Sequence, residues 1–197
     1  AHLCEDLSIS PITIMINSLG CRTCRPAYME KLKSALMQIH AQLCQRCHER
    51  IAVNPLRVFD CKEETCQSHL SNAPLLIDSL CAACGDHFLK VQALLNRLGI
   101  VFQINPRIVR GLDYYTRTAF EFVSSSLGAQ NTLIGGGRYD NLVEDMGGAP
   151  TPAIGFGMGI ERAIELIVAK QKFAHDQNRI CLATLGELAN SEGLMLA

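Results

Sequence analysis

Apolar and β-branched residues crowd positions 12–16 (Ile12, Thr13, Ile14, Met15, Ile16) and stop at Leu19-Gly20, which predicts a strand. The period then changes. Tyr28, Leu32, Leu36, Ile39 and Leu43 recur at helical spacing, with Pro26 near the start, and predict one helix over 27–43. Asn54-Pro55-Leu56 breaks the chain. Phe88, Val91, Leu95 and Leu98 share the face of a second helix, 86–98, with Gly99 as its stop. Beyond Gly99, short β-rich stretches at 101–104, 118–123, 132–134 and 154–159 alternate with glycine clusters. Their links are too short for crossover helices, so the pairing is expected to be antiparallel. A helix over 160–169 follows, then a polar link at 171–179 and a further strand at 180–183. The plan is α+β: an antiparallel sheet flanked by helices, interrupted by a mainly helical insertion. Its boundaries fall at 1–19 and 101–170 for the sheet domain, 20–100 for the insertion and 171–197 for a linker into another domain.

Composition narrows the classes. With 197 residues, 48% of them hydrophobic, the chain can bury one large core or two modest ones. Eighteen Lys and Arg against nineteen Asp and Glu exclude a strongly basic nucleic-acid coat. Within 21–100, ten basic residues oppose seven acidic ones, a mild excess that suits either an RNA backbone or a solvated surface. No apolar run approaches the ~18–20 residues of a membrane span, and no secretory signal is visible. A start at Ala1 and a stop at Ala197 suggest a piece of a longer protein.

Ten cysteines change the picture most, eight of them between 21 and 84. Cys21-x-x-Cys24 and Cys44-x-x-Cys47 stand 19 residues apart, as in zinc-ribbon-like sites. Cys81-x-x-Cys84 is a third pair and Cys61/Cys66 a looser fourth. A two-residue gap lets both thiolates reach one tetrahedral ion, giving closed structural sites that suit Zn²⁺. Arg22, Arg25, Arg46 and Arg50 would favour thiolates. Four pairs make two sites in three ways, and spacing leaves the choice open. Reduced thiols or disulfides are the alternatives.

Three segments carry candidate chemistry. In Gly155-Phe156-Gly157-Met158-Gly159 the glycines share one strand face, leaving bare backbone for a flat ring, while Phe156 and Met158 anchor the other face in the core. Arg162 stands in the first turn of the next helix, where a cation opposes the dipole. Phosphate binding, or a partner such as Glu165, would account for it. The dinucleotide fingerprint fails because Ile160 replaces its third glycine. Gly135-Gly136-Gly137-Arg138-Tyr139-Asp140 permits close approach of a ligand, or makes a tight turn. Arg110-Gly111-Leu112-Asp113-Tyr114-Tyr115 joins a rigid guanidinium fork to two phenols. An Arg110–Asp113 pair bracketing aromatic core is the plainer alternative. Strict alternation puts Arg110 and Tyr115 on opposite faces, so a shared pocket needs a bend at Gly111.

Together these segments resemble the histidyl-tRNA synthetases, which are class II aminoacyl-tRNA synthetases. R-G-L-D-Y-Y-T-R-T at 110–118 is similar to the family's histidine motif, G-G-G-R-Y-D-N-L at 135–142 to its second substrate loop, and G-F-G-M-G-I-E-R at 155–162 to class II motif 3. N-P-L-R-V-F-D-C at 54–61 lies in what looks like a cysteine-bearing version of the family's insertion domain. The resemblance implies a cytoplasmic homodimer that uses ATP and Mg²⁺ to form histidyl-adenylate and then charges tRNA(His). It implies that Arg110 is catalytic at the α-phosphate. Tyr114, Tyr115, Tyr139 and Gly136 would bind histidine, and Arg110, Gly157, Gly159 and Arg162 would bind ATP. Class II motifs 1 and 2 match nothing here, and an anticodon-binding domain is only begun after 179. The chain by itself is therefore expected to be inactive. A non-catalytic synthetase paralogue regulating histidine biosynthesis is the alternative, and a zinc-dependent nucleic-acid-binding module a more distant one.

Overall fold

The computed structural model describes residues 1–109, 114–128 and 130–169. Residues 1–167 form one compact unit, and Val168–Ala197 fall in a second. The strands expected at 180–183 and the link at 171–179 lie outside the described residues.

A five-stranded sheet has the order β2-β1-β3-β4-β5, from β1 (Thr13–Ser18), β2 (Gln103–Ile104), β3 (Thr116–Val123), β4 (Thr132–Arg138) and β5 (Ile154–Met158). The β1–β3, β3–β4 and β4–β5 junctions are antiparallel; the short link at 124–131 dictates this for β3–β4, whereas the whole insertion separates β1 from β3. The β1–β2 junction departs from expectation: Met15 and Ile16 pair parallel with Gln103 and Ile104. The cause is the insertion itself, which supplies the long return path that a parallel pair requires. The glycine run 135–137 is strand throughout rather than a turn.

The insertion holds α2 (Arg25–Gln38), α3 (Gln45–Val53), α4 (Glu64–His69) and α5 (Ala82–Arg97), joined by short 3₁₀ turns. A short α1 (His2–Asp6) precedes β1. In α2 the stripe Tyr28, Leu32 and Leu36 is wholly buried. Helix α5 begins earlier than the periodicity indicates, because Cys81 takes the extended N-cap position and Cys84 sits in the first turn. It ends at Gly99, whose φ of +68° turns the chain while its N–H bonds Asn96 O at 3.0 Å. Leu98, expected on the buried stripe, is 71% exposed.

Two apolar clusters result. One joins the insertion to the sheet: Tyr28, Leu32, Leu36, Cys47, Cys61, Cys66 and Leu70 share a core with Leu19, Ile108, Val109 and Ala119. The other packs α1 and α7 (Ile160–Val168) on the sheet, through Cys4, Ile9, Leu133, Ile134, Ala163 and Leu166. Phe156, expected in the core, is 62% exposed on β5, an edge strand of this sheet. Val91 and Leu95 of α5 face Ile14, Ile16, Phe120 and Phe122 across an apolar cavity of about 470 Å³.

Candidate active site

Strand register sorts the candidate residues by face. Gly137 pairs with Gly155 and Gly135 with Gly157, so these four share one side of the β4–β5 ribbon. Tyr115 and Tyr139 stand over that side. A Cβ on Gly137 would lie 2.9 Å from the Tyr115 ring, and one on Gly155 would lie 2.5 Å from the Tyr139 hydroxyl. Two of the glycines thus make room for tyrosines. Tyr114 completes the cluster, with ring centroids 4.7 Å from Tyr115 and 5.7 Å from Tyr139. At Gly157, nothing among the described residues lies within 4 Å of where a Cβ would sit. There the backbone is bare, and a planar group can approach it.

The sequence reading assigns Gly136 to the histidine pocket. Its Cα instead faces the opposite layer, where a Cβ would meet Phe156 Cβ at 2.6 Å and Phe120 Cζ at 2.7 Å. Strand alternation forces this, since Gly136 lies between two residues that face the tyrosines.

Arg162 closes the far end of the ribbon. Its guanidinium donates to Thr132 O, and to Gln130 Oε1 at 2.9 Å, rather than to Glu165. Its side chain lies over Gly159, where a Cβ would meet Arg162 Cδ at 3.3 Å. From Gly155 to Gly159 the strand advances ~13 Å at ~3.3 Å per residue, with the tyrosines at one end and the guanidinium at the other. Glu121, which pairs with Gly135, adds a carboxylate on the same face and accepts from Thr132 Oγ1 at 3.5 Å. Arg110 and Gly111 lie outside the described residues. The register of β3 on β4 shifts between Thr116 and Ala119, where Arg117 has a φ of +51°, and again between Phe122 and Val123.

Several contributors escaped the sequence reading. Asn17, buried in β1, donates from Nδ2 to Pro106 O at 3.1 Å and Ile108 O at 2.9 Å, fixing the segment that leads to Arg110. Arg25 donates to Leu19 O at 2.9 Å and to Tyr115 O. Arg22 pairs with Glu144 at 2.8 Å and Asp145 at 2.5 Å, on α6 (Leu142–Asp145) just after Tyr139. A buried Asn and arginines bonded to carbonyls carry no periodicity, so only the three-dimensional contact reveals them. Arg138 and Asp140 bond each other on the opposite side, with both Asp140 oxygens within 2.8 Å of Arg138 Nε. His87 of α5 lies 3.3 Å from Arg138 Nη1. Burial first, then Arg117 and Arg138, holds its pKa below the ordinary histidine range.

The eight cysteines form two groups, Cys21/Cys24/Cys81/Cys84 and Cys44/Cys47/Cys61/Cys66, each with all four sulfurs within 4.8 Å of one another. Either group could hold a metal ion. The zinc-ribbon spacing that brackets Cys24 and Cys44 does not bring those two pairs together; the first pair meets the last. All eight are free thiols. Within each group the thiols behave unequally. Burial raises the Cys21 pKa, but hydrogen bonds from the Cys24 and Thr23 backbone outweigh it and bring it to about 6. Burial and neighbouring sulfurs push Cys84 far up. A single anion is tolerated where four are not, unless a cation joins them.

The sheet and its bare-backed, tyrosine-capped face are those of a class II synthetase-like catalytic domain. A family model described as histidyl-tRNA synthetase matches residues 25–163. The chain belongs to the histidyl-tRNA synthetase family. It is 48% identical over 190 residues to a histidine–tRNA ligase of Acetivibrio thermocellus, covering 95% of this chain and 45% of that protein. It is 46% identical over 195 residues to one of Geobacter sulfurreducens, covering 99% and 47%. Among solved structures it superposes on apo histidyl-tRNA synthetase of S. aureus with a TM-score of 0.65 at 29% identity, over 99% of this chain and 48% of that one. The chain thus spans about half the length of the curated relatives it matches.

Proposed function

We propose that this chain supplies the histidine-binding and nucleotide-binding half of the catalytic domain of a histidine–tRNA ligase. One observation carries the reading: Tyr114, Tyr115 and Tyr139 converge at one end of a glycine-lined ribbon whose other end is capped by Arg162. Phenols that both donate and accept hydrogen bonds match imidazole's two nitrogens, one donor and one acceptor. A site built on such bonds rejects amino acids that would leave its phenols unpaired. The open backbone at Gly157 accepts the nucleotide ring, and Arg162, with at least two of its N–H groups held by Thr132 and Gln130, is fixed beside it.

Histidine's carboxylate attacks the α-phosphorus of ATP, which enters as its Mg²⁺ complex, and pyrophosphate leaves. Charge builds on the phosphoryl oxygens, where the Arg110 guanidinium stabilises it. The histidyl group then passes to the 3′ end of tRNA(His). On this reading the assembled protein is a cytoplasmic homodimer, as the resemblance implies. Among the described residues no helix is long and apolar enough to cross a membrane. The regulatory-paralogue reading is not favoured, because relatives at 43–53% identity are histidine–tRNA ligases.

The test is histidine-dependent ATP–pyrophosphate exchange by the full-length protein, with Arg110→Ala beside it. Wild type should exchange, and the variant should lose ~10²-fold or more in kcat. Retention within about threefold would remove Arg110 from the phosphate role.

A further inference from the structure

We propose that the eight clustered cysteines bind two zinc ions in a nested arrangement, and that the outer ion positions the tyrosines of the histidine pocket. The second half rests on the histidine-activating reading; the first does not.

The geometry is that of coordination. A tetrahedron with ~2.3 Å zinc–sulfur arms has edges of ~3.8 Å. Cys21 Sγ lies 3.9 Å from Cys24 Sγ and 3.8 Å from Cys81 Sγ, and Cys44 Sγ lies 3.8 Å from Cys61 Sγ. These separations are nearly twice a disulfide bond. Backbone N–H groups already point at the sulfurs: Cys21 N at Cys24 Sγ (3.2 Å), Thr23 N at Cys21 Sγ (3.4 Å) and Cys44 N at Cys66 Sγ (3.2 Å). Four thiolates, with no other donor in either group among the described residues, select zinc or iron among common metals, and a closed tetrahedral site with no open position is the form structural zinc takes.

The two sites connect to different parts of the sheet. The outer knuckle starts where β1 ends. Gly20, with a φ of +63°, lets Cys24 Sγ approach to 2.8 Å of where a Cβ would be. Leu19 N and Gly20 O bond Arg117 O and Arg117 N at 2.5 and 2.7 Å, two residues past Tyr115. Arg25, the first residue of α2, holds Tyr115 O, and Arg22, inside the knuckle, holds α6 beyond Tyr139. One ion thereby braces both tyrosine-bearing segments. The inner cluster instead meets the segment before Arg110. Gln67 donates to Cys61 O at 2.6 Å and accepts from Arg107 Nη1 at 3.0 Å.

The experiment uses the full-length protein. Metal analysis should find two zinc ions per chain, and one in each of Cys84→Ser and Cys47→Ser. Co²⁺ titration of metal-free wild type should saturate its thiolate charge-transfer band at two equivalents. Any other stoichiometry, or an iron chromophore in the purified protein, overturns the sites. In the exchange assay, KM for histidine should rise at least tenfold in Cys84→Ser and stay within twofold in Cys47→Ser. Arg25→Met should keep both ions and reproduce the KM rise, which covers the case in which Cys84→Ser does not fold. Partial unfolding lowers the active fraction but leaves KM alone. An unchanged KM in Arg25→Met, or equal KM shifts in the two cysteine variants, overturns the bracing role. Absence of exchange in wild type would remove the histidine reading and leave the zinc count standing.

Discussion

The insertion and the sheet are held together by different means. In the sheet, backbone ladders join β1, β3, β4 and β5, with register shifts only between β3 and β4, and they survive a face stripped of side chains because the hydrogen bonds need none. In the insertion, α3 and α4 span nine and six residues, below the length at which an isolated helix is stable, and only 3₁₀ turns and irregular links join them to the longer α2 and α5. There the sulfurs occupy the centre: Cys47, Cys66 and Cys84 are among the most buried side chains of the molecule. One region can lose side chains for the sake of a ligand, and the other depends on them.

The sharpest way to break that contrast is to remove the metal. Stripping zinc from the full-length protein with a thiol reagent and chelator should cut amide-exchange protection in α2–α4 by ~10²-fold or more, since structural zinc contributes folding energy directly. Protection in β3 and β4 should change far less. Equal losses in both regions would erase the distinction.

A pair of glycine substitutions asks whether the bare face serves packing or ligand. Gly155→Ala thrusts a methyl group to 2.5 Å from the Tyr139 hydroxyl, and should raise KM for histidine about tenfold or more. Gly157→Ala meets nothing within 4 Å among the described residues. Its melting temperature should match wild type while KM for ATP rises several-fold. A Gly157→Ala enzyme with wild-type kinetics would show that no ligand reaches that backbone.

The smallest effect comes from His87, where α5 of the insertion touches the sheet. Its folded pKa lies below the ordinary 6.5, so the unfolded chain takes up the proton first as pH falls. The stability contributed by neutral His87 is full above about pH 6.5 and is lost as pH drops through the folded value. His87→Gln should flatten the fall in melting temperature between pH 7 and pH 5. Arg117, Arg138 and Lys90, which disfavour its charge, and Asp140, which favours it, remain in both proteins.

Legibility in the sequence divides along the same line. The sheet was readable because β-branched runs and alternation report strands directly, and the antiparallel β3–β4 junction follows from its short link. The parallel β1–β2 pair was not, because nothing local in Gln103-Ile104 says which distant strand it joins. In the insertion, the thiol pairs announced coordination, but which pair meets which is decided by the path of α2–α5, and spacing alone left all three combinations open. At the candidate site the tyrosines and glycines were visible as motifs. The side of the ribbon on which Gly136 falls, and the service of Asn17, Arg22 and Arg25 to backbone carbonyls, required the register and the contact.

The parallel neighbours β1 and β2 set a condition on how such a protein can diversify. Their union obliges the chain to leave the sheet at one end and re-enter at the other, whatever it does in between. Once a detour is compulsory, its content is unconstrained by strand order: longer, shorter or differently stapled excursions all deliver the polypeptide to the same doorway. Novelty can therefore accumulate in that detour while the glycine-lined, tyrosine-capped face stays untouched, provided the gatepost formed by Leu19, Gly20 and Arg117 is kept.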